Sequence, residues 1–223
     1  MSGRALSEPA PGRGGHGKLP GAGDFVSFGL APRLRRAWDG WLSELPAASR
    51  AGAVDDAVWA ERWAAAPRWA LAAAPGVVGA SALVAVVAAS RDRVGRAFPF
   101  SLVAEGDDGS ALDLLDDTPP PWFAAAGELV RAAVAGELTP ADLPAALADL
   151  APPAAAAATV TPVHAQAAAR LRKVASAPRG VVMRPLDGSF SQAALWAPTL
   201  PSGALAAALI DGDFADRGWR LAP

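Results

Sequence analysis

The sequence contains no cysteine and only two histidines, and these shortages exclude several kinds of chemistry. Without cysteine there is no disulfide, no thiolate nucleophile and no zinc site built on sulfur. His16 and His164 stand in two separate stretches that we expect to be flexible. A Ser-His-Asp triad or a histidine-based metal site therefore lacks a well-placed histidine. We expect no catalytic residues, no metal and no cofactor.

The sequence also lacks a long apolar run and an excess of positive charge. Its longest apolar run, Ala82 to Ala89, is far shorter than the ~20 residues that a membrane span needs. Residues 1–16 lack the apolar core of a secretory signal. The formal net charge of −2 provides no basic field for nucleic acid. We expect a cytoplasmic protein that neither enters a membrane nor binds nucleic acid.

Composition along the chain indicates one folded domain behind a short leader. Residues 1–16 are rich in glycine, proline, serine and arginine, so we predict a disordered leader there. Residues 17–223 are predicted to form a single domain, with a surface linker at about 151–162 where alanine and proline dominate. Much of the hydrophobic fraction is alanine, so the 8 Trp and 7 Phe must supply much of the core.

Hydrophobic periodicity predicts both helices and covered strands. Leu34, Trp38, Trp41 and Leu45 recur at helical spacing after Pro32, which predicts a helix over residues 32–45. The apolar run at residues 82–89 contains β-branched valines, as expected for a strand covered on both faces. Covered strands require helices packed on the sheet, so the fold class is α/β.

The segment from Gly12 to Lys18 has the glycine and lysine spacing of a phosphate-binding loop. That loop needs a serine or threonine after the lysine to hold magnesium, and here Leu19 follows. Pro20 also stands where a helix would have to begin. The segment is therefore a poor nucleotide site, and a phosphoryl-transfer or nucleotide-binding protein that uses Lys18 and Asp92 is kept as an alternative function.

Charged residues cluster in a loop after the buried strand, at residues 90–96, and in a glycine-rich turn at residues 17–25. Loops beyond strand ends are where α/β proteins usually carry functional groups. We predict that these two segments converge with residues 38–41, as an ion-pair hub or as a contact surface for a partner. Charge beside buried tryptophan usually needs a partner, so for Asp39 and Arg93 we favour the role of members of an ion-pair hub.

Several ordered motifs resemble the TagF family of type VI secretion-associated proteins. They are Gly17-Lys18-Leu19-Pro20, Gly23-Asp24-Phe25, Trp38-Asp39-Gly40-Trp41-Leu42, Trp69, Pro75-Gly76, Gly79, and Ser90-Arg91-Asp92-Arg93-Val94-Gly95-Arg96-Ala97-Phe98-Pro99. The last of these is the most specific. Ala89 stands where the family usually has a proline, and Ala80-Ser81 replaces a Pro-Ser pair.

The resemblance implies a three-layer α/β sandwich with a mixed, largely antiparallel central sheet and helices on both faces. It implies a non-enzymatic repressor of a bacterial type VI secretion system that acts after translation, by binding the system's forkhead-associated (FHA) scaffold protein. A structural accessory subunit of the secretion apparatus is a second alternative. The candidate hub or partner-binding residues are Lys18, Pro20, Asp24, Phe25, Trp38, Asp39, Trp41, Ser90, Asp92, Arg93, Gly95 and Arg96.

Overall fold

A seven-stranded sheet forms the middle layer of the computed structural model, which describes residues 12–106, 114, 120–153, 180–187 and 194–219. The strands are β1 (Arg13–Gly17), β2 (Val26–Phe28), β3 (Trp69–Ala73), β4 (Leu83–Ala88), β5 (Phe100–Glu105), β6 (Val181–Pro185) and β7 (Leu195–Ala197). Their order is β2-β1-β5-β4-β3-β6-β7. Each neighbouring pair of these strands is antiparallel.

Helices cover both faces of this sheet. They are α1 (Pro32–Ala51), α2 (Asp56–Ala65), α3 (Pro121–Val134), α4 (Leu143–Ala148) and α5 (Ala204–Asp211). The first, second and last pack on one face, and α3 and α4 pack on the other. The predicted α/β class and the three-layer sandwich are confirmed, with antiparallel pairing throughout the described strands.

The sheet separates two apolar cores. Along β4, Leu83 and Val87 face one core while Val84 and Val86 face the other, as the two-residue period of a strand requires. The first core is rich in tryptophan and includes Trp38, Trp41, Trp59, Trp63 and Trp69. The second contains Phe100, Leu102, Phe123, Leu143 and Leu147. The tryptophans therefore serve mainly as packing for α1, α2 and α5.

The prediction of a disordered leader over residues 1–16 is wrong for its last residues, because Arg13–Gly17 forms the buried strand β1 between β2 and β5. Its glycines allow neighbouring backbone to approach closely. A Cβ atom on Gly14 would lie 2.2 Å from the carbonyl oxygen of Phe28, and one on Gly17 would lie 2.0 Å from that of Pro99. Residues 1–11 of the predicted leader, and 154–162 of the predicted linker, lie outside the described residues.

None of the helices in the described part of the chain combines the length and the apolar character that a membrane crossing requires.

Candidate functional site

Two loops meet at one end of the β1–β5 pair. One is the turn of residues 18–25 after β1, and the other is the stretch of residues 90–99 between β4 and β5; we call them the paired loops. The amide of Lys18 donates to the carbonyl of Pro99 at 3.2 Å, and the amide of Arg93 donates to the carbonyl of Ala22 at 2.9 Å. The sheet topology thus brings together two segments that are far apart in sequence.

A buried carboxylate, that of Asp92, holds the paired loops. Its Oδ2 atom lies 3.2 Å from Lys18 Nζ and accepts a 2.6 Å hydrogen bond from Arg96 Nε. Its Oδ1 atom accepts from the amide of Val94 at 3.1 Å and from the amide of Arg96 at 2.8 Å. The Asp92 side chain is 0% exposed and that of Lys18 is 10% exposed. One carboxylate therefore organises both loops.

Asp92 carries its charge at neutral pH. Burial by itself raises the pKa of Asp92, but hydrogen bonds from the Arg96 amide, the Arg96 guanidinium and the Lys18 ammonium lower it by more. The balance holds the pKa of Asp92 well below its ordinary value of 3.8. The charge of Asp92 is thus matched by two cations, the buried Lys18 and the largely exposed Arg96.

Aromatic rings and one histidine link the paired loops to α1. The ring of Phe25 stacks on that of His16 at a centroid distance of 5.6 Å and meets the ring of Phe98 edge-on at 4.8 Å. Lys18 Nζ lies 5.1 Å from the centroid of the Phe25 ring. His16 Nε2 forms a 2.7 Å hydrogen bond with Asp39 Oδ1 on α1. His16 and Phe98 are therefore members of the site that sequence reasoning missed.

Trp38 and Trp41 are structural residues. The indole of Trp38 donates to Ser101 Oγ at 2.9 Å, and that hydroxyl donates to the carbonyl of His16 at 3.0 Å. The indole of Trp41 donates to the carbonyl of Pro201 at 3.0 Å. Both tryptophans are buried in the first core, so neither offers a surface to a partner.

Ser90 is also buried and acts through its backbone. Its carbonyl accepts from the indole of Trp63 at 3.0 Å and from the amide of Phe98 at 3.1 Å. The bond from Trp63 attaches the start of the 90–99 loop to α2. The bond from Phe98 joins the start of that loop to its end. Gly95, at the tip of that loop, has φ of +86°, a left-handed conformation that favours glycine.

The remaining candidates face solvent. Pro20, Asp24 and Arg93 are exposed, Phe25 is 46% exposed, and the Arg96 side chain is 59% exposed. Asp24 Oδ1 accepts a 2.8 Å hydrogen bond from the amide of Phe25 and so fixes the turn locally. Arg96 also reaches across the loops and donates to the carbonyl of Gly23 at 2.8 Å.

The predicted segments lie together, but Asp39 and Arg93, the two residues favoured as hub members, do not take part in the ion pairs at Asp92. Asp39 projects from α1 over β1, where His16 is its nearest partner. Arg93 is in none of the ion pairs formed within the described ranges, and its guanidinium lies against Gly23. The hub instead joins Lys18, Asp92 and Arg96.

The described part of the chain contains no cluster of three or more histidine or carboxylate side chains that could hold a metal ion. A cavity of about 530 Å³ opens between the start of α1 and the β3–β4 connection, where Arg33, Leu34, Val78, Leu83 and Glu105 contribute to its lining. It lies at the end of β5 away from the paired loops.

Comparison with known proteins places these features in a family context. The family model of the TagF N-terminal domain, described as type VI secretion system-associated, matches residues 14–150, which include both paired loops. The crystal structure of PA0076 from Pseudomonas aeruginosa PAO1 is similar, with a TM-score of 0.73 and 27% sequence identity. That similarity covers 95% of this chain and 97% of the other. A search of curated proteins found no significant match.

Proposed function

The chain belongs to the TagF family of type VI secretion system-associated proteins, and from this premise we propose that it represses that system after translation. In this proposal the protein acts in the cytoplasm, without enzymatic activity, by binding the FHA scaffold protein of the secretion system. Membership of the family links the chain to type VI secretion. The geometry of the paired loops supports binding as the mode of action.

The observation that carries the proposal is an ion-pair hub, centred on the buried carboxylate of Asp92, beneath an exposed surface. Asp92 is held by Lys18 and Arg96, and the same loops direct Phe25 and Val94 toward solvent. A buried charge with its partners in place can specify one conformation of the segments that carry it. A loop surface fixed in this way is preorganised for contact with another protein.

The same geometry speaks against the phosphoryl-transfer alternative. Lys18 and Asp92, which that chemistry would need, are bonded to each other, and both are buried. The glycine-rich segment that precedes Lys18 is the paired strand β1, which lies between two neighbouring strands. A phosphate-binding loop needs free amides in an open loop before a helix, and this arrangement differs from it.

The proposal is tested by deleting the gene in its host and measuring secretion of the type VI tube protein. We expect secretion to rise on deletion and to fall again when the wild-type gene is restored. Unchanged secretion would contradict the repressor role. Reduced secretion would favour the structural accessory subunit instead, because loss of a component of the apparatus stops export.

A further inference from the structure

Two exposed apolar side chains, those of Phe25 and Val94, lie on neighbouring loops. They are 46% and 70% exposed, although large apolar side chains are usually covered. Val94 follows Arg93, whose amide donates to Ala22, and Phe25 stands two residues after Gly23, which accepts from Arg96. The cross-loop hydrogen bonds therefore hold the two segments that carry these side chains next to each other. We call Phe25, Arg93 and Val94 the loop patch.

The loop patch is held in place before any partner arrives. The Phe25 ring packs on His16 and Phe98, and the backbone amide of Phe25 donates to Asp24 Oδ1 at 2.8 Å. The Val94 amide donates to the buried carboxylate of Asp92 at 3.1 Å. Binding then orders little further backbone, so little conformational entropy is lost. Fixed aromatic and arginine side chains are the types that dominate binding energy in protein interfaces.

The charge of the loop patch selects an acidic partner. The paired loops carry four cationic side chains and two carboxylates, and the exposed carboxylate is that of Asp24. The guanidinium of Arg96 is bonded to Asp92 and to the Gly23 carbonyl, whereas that of Arg93 faces solvent. No ion pair between described residues engages Arg93. A guanidinium matches a carboxylate through paired hydrogen bonds, so a partner carboxylate is its natural complement.

We infer that the loop patch is the docking surface for the protein partner of the proposed function, which contributes an acidic segment with apolar side chains. The inference rests on that function, since it assigns the surface through which the repressor binds. Phe25 and Val94 are covered by the partner's apolar side chains, and Arg93 pairs with one of its carboxylates. The hub of Lys18, Asp92 and Arg96 acts as the support beneath.

Matched control positions lie elsewhere on the molecule. Arg33 and Glu105 both contribute to the lining of the cavity, and β5 runs from Phe100 to Glu105, which separates its two ends by roughly 17 Å. Arg33→Glu therefore makes the same charge change as Arg93→Glu at the opposite end of that strand. Val54 is 90% exposed in the connection between α1 and α2, so Val54→Ser is the control for Val94→Ser.

The test is calorimetric titration of the full chain against the purified FHA scaffold protein. We expect Arg93→Glu to raise Kd at least about tenfold and Val94→Ser about threefold, because each removes one part of the contact. Arg33→Glu and Val54→Ser should leave Kd within about twofold of wild type. Melting temperatures of all four variants should match wild type, because the exchanged side chains are exposed.

Ionic strength gives a second readout. The wild-type Kd should rise as NaCl increases from about 50 to 300 mM, and this dependence should flatten in Arg93→Glu. If wild type binds and both patch variants bind equally well, the assignment of the surface is wrong while the proposed function stands. If wild type does not bind the scaffold protein at all, the proposed function and this inference are both overturned.

Discussion

Replacing Ser101 by alanine removes the hydroxyl that joins α1 to β1 beneath the candidate site. Ser101 is fully buried on β5, where Oγ accepts from the Trp38 indole at 2.9 Å and donates to the His16 carbonyl at 3.0 Å. His16 in turn contacts both Phe25 and Asp39. The substitution therefore tests whether this chain of contacts holds the site to the core.

The expected cost follows from the two lost hydrogen bonds. The buried indole N–H of Trp38 is left without an acceptor, which costs about 1–3 kcal/mol, and loss of the bond to the His16 carbonyl adds about 1 kcal/mol. The free energy of unfolding should therefore fall by about 2–4 kcal/mol. For a chain of this size, the corresponding decrease in Tm is about 4–16 °C.

Urea denaturation of a double-mutant cycle with Trp38→Phe measures the effect. In the Trp38→Phe background no indole N–H is present, so Ser101→Ala should cost only about 1 kcal/mol there. The coupling energy between the two sites should be about 1–3 kcal/mol. Equal costs of Ser101→Ala in both backgrounds would refute the role assigned to this hydroxyl.

Two further predictions concern the paired loops. Because the folded-state pKa of Asp92 is lowered, its stabilising contribution is complete above about pH 5 and declines as the pH falls through and below 3.8. The difference in unfolding free energy between wild type and Asp92→Asn should therefore shrink between pH 6 and pH 3 in urea titrations, and a constant difference would contradict the assignment. Gly95→Ala should cost about 1–2 kcal/mol from its left-handed conformation alone, since a Cβ there meets nothing within 4 Å. Gly17→Ala should lower the free energy of unfolding clearly more than Gly95→Ala does, because its Cβ would collide with backbone atoms. Thermal unfolding of both variants measures this difference, and equal losses of stability would argue against the close approach of β1 and Pro99.

The helices and strands with a clear hydrophobic periodicity were predictable from the sequence. The tryptophan stripe of α1 and the valine-rich run of β4 formed a helix and a covered strand, as predicted. The end of α1 was predicted too early, at residue 45 before Pro46. The helix continues to Ala51, and its last turn is tied to α2 by the indole of Trp59, which donates to the buried Ser49 hydroxyl at 3.0 Å.

Much of the candidate site depends on which strands become neighbours, and local pattern does not contain that information. The segment before Lys18 has the composition of a flexible leader, but its glycines serve a close strand-to-strand approach. Lys18 and Asp92 are distant in sequence, and only the adjacency of β1 and β5 brings them together. The only signal for His16 was its position beside the Gly17-Lys18 motif.

Binding through the surface supported by the Asp92 hub is how we propose that this protein acts. Calorimetric titration of the purified wild-type chain into the purified FHA scaffold protein is the experiment that addresses this proposal without a mutation. We expect saturable binding with Kd in the micromolar range or tighter, which corresponds to a binding free energy of about −8 kcal/mol or more favourable. Absence of a binding signal with both proteins folded and at about 100 μM would contradict it.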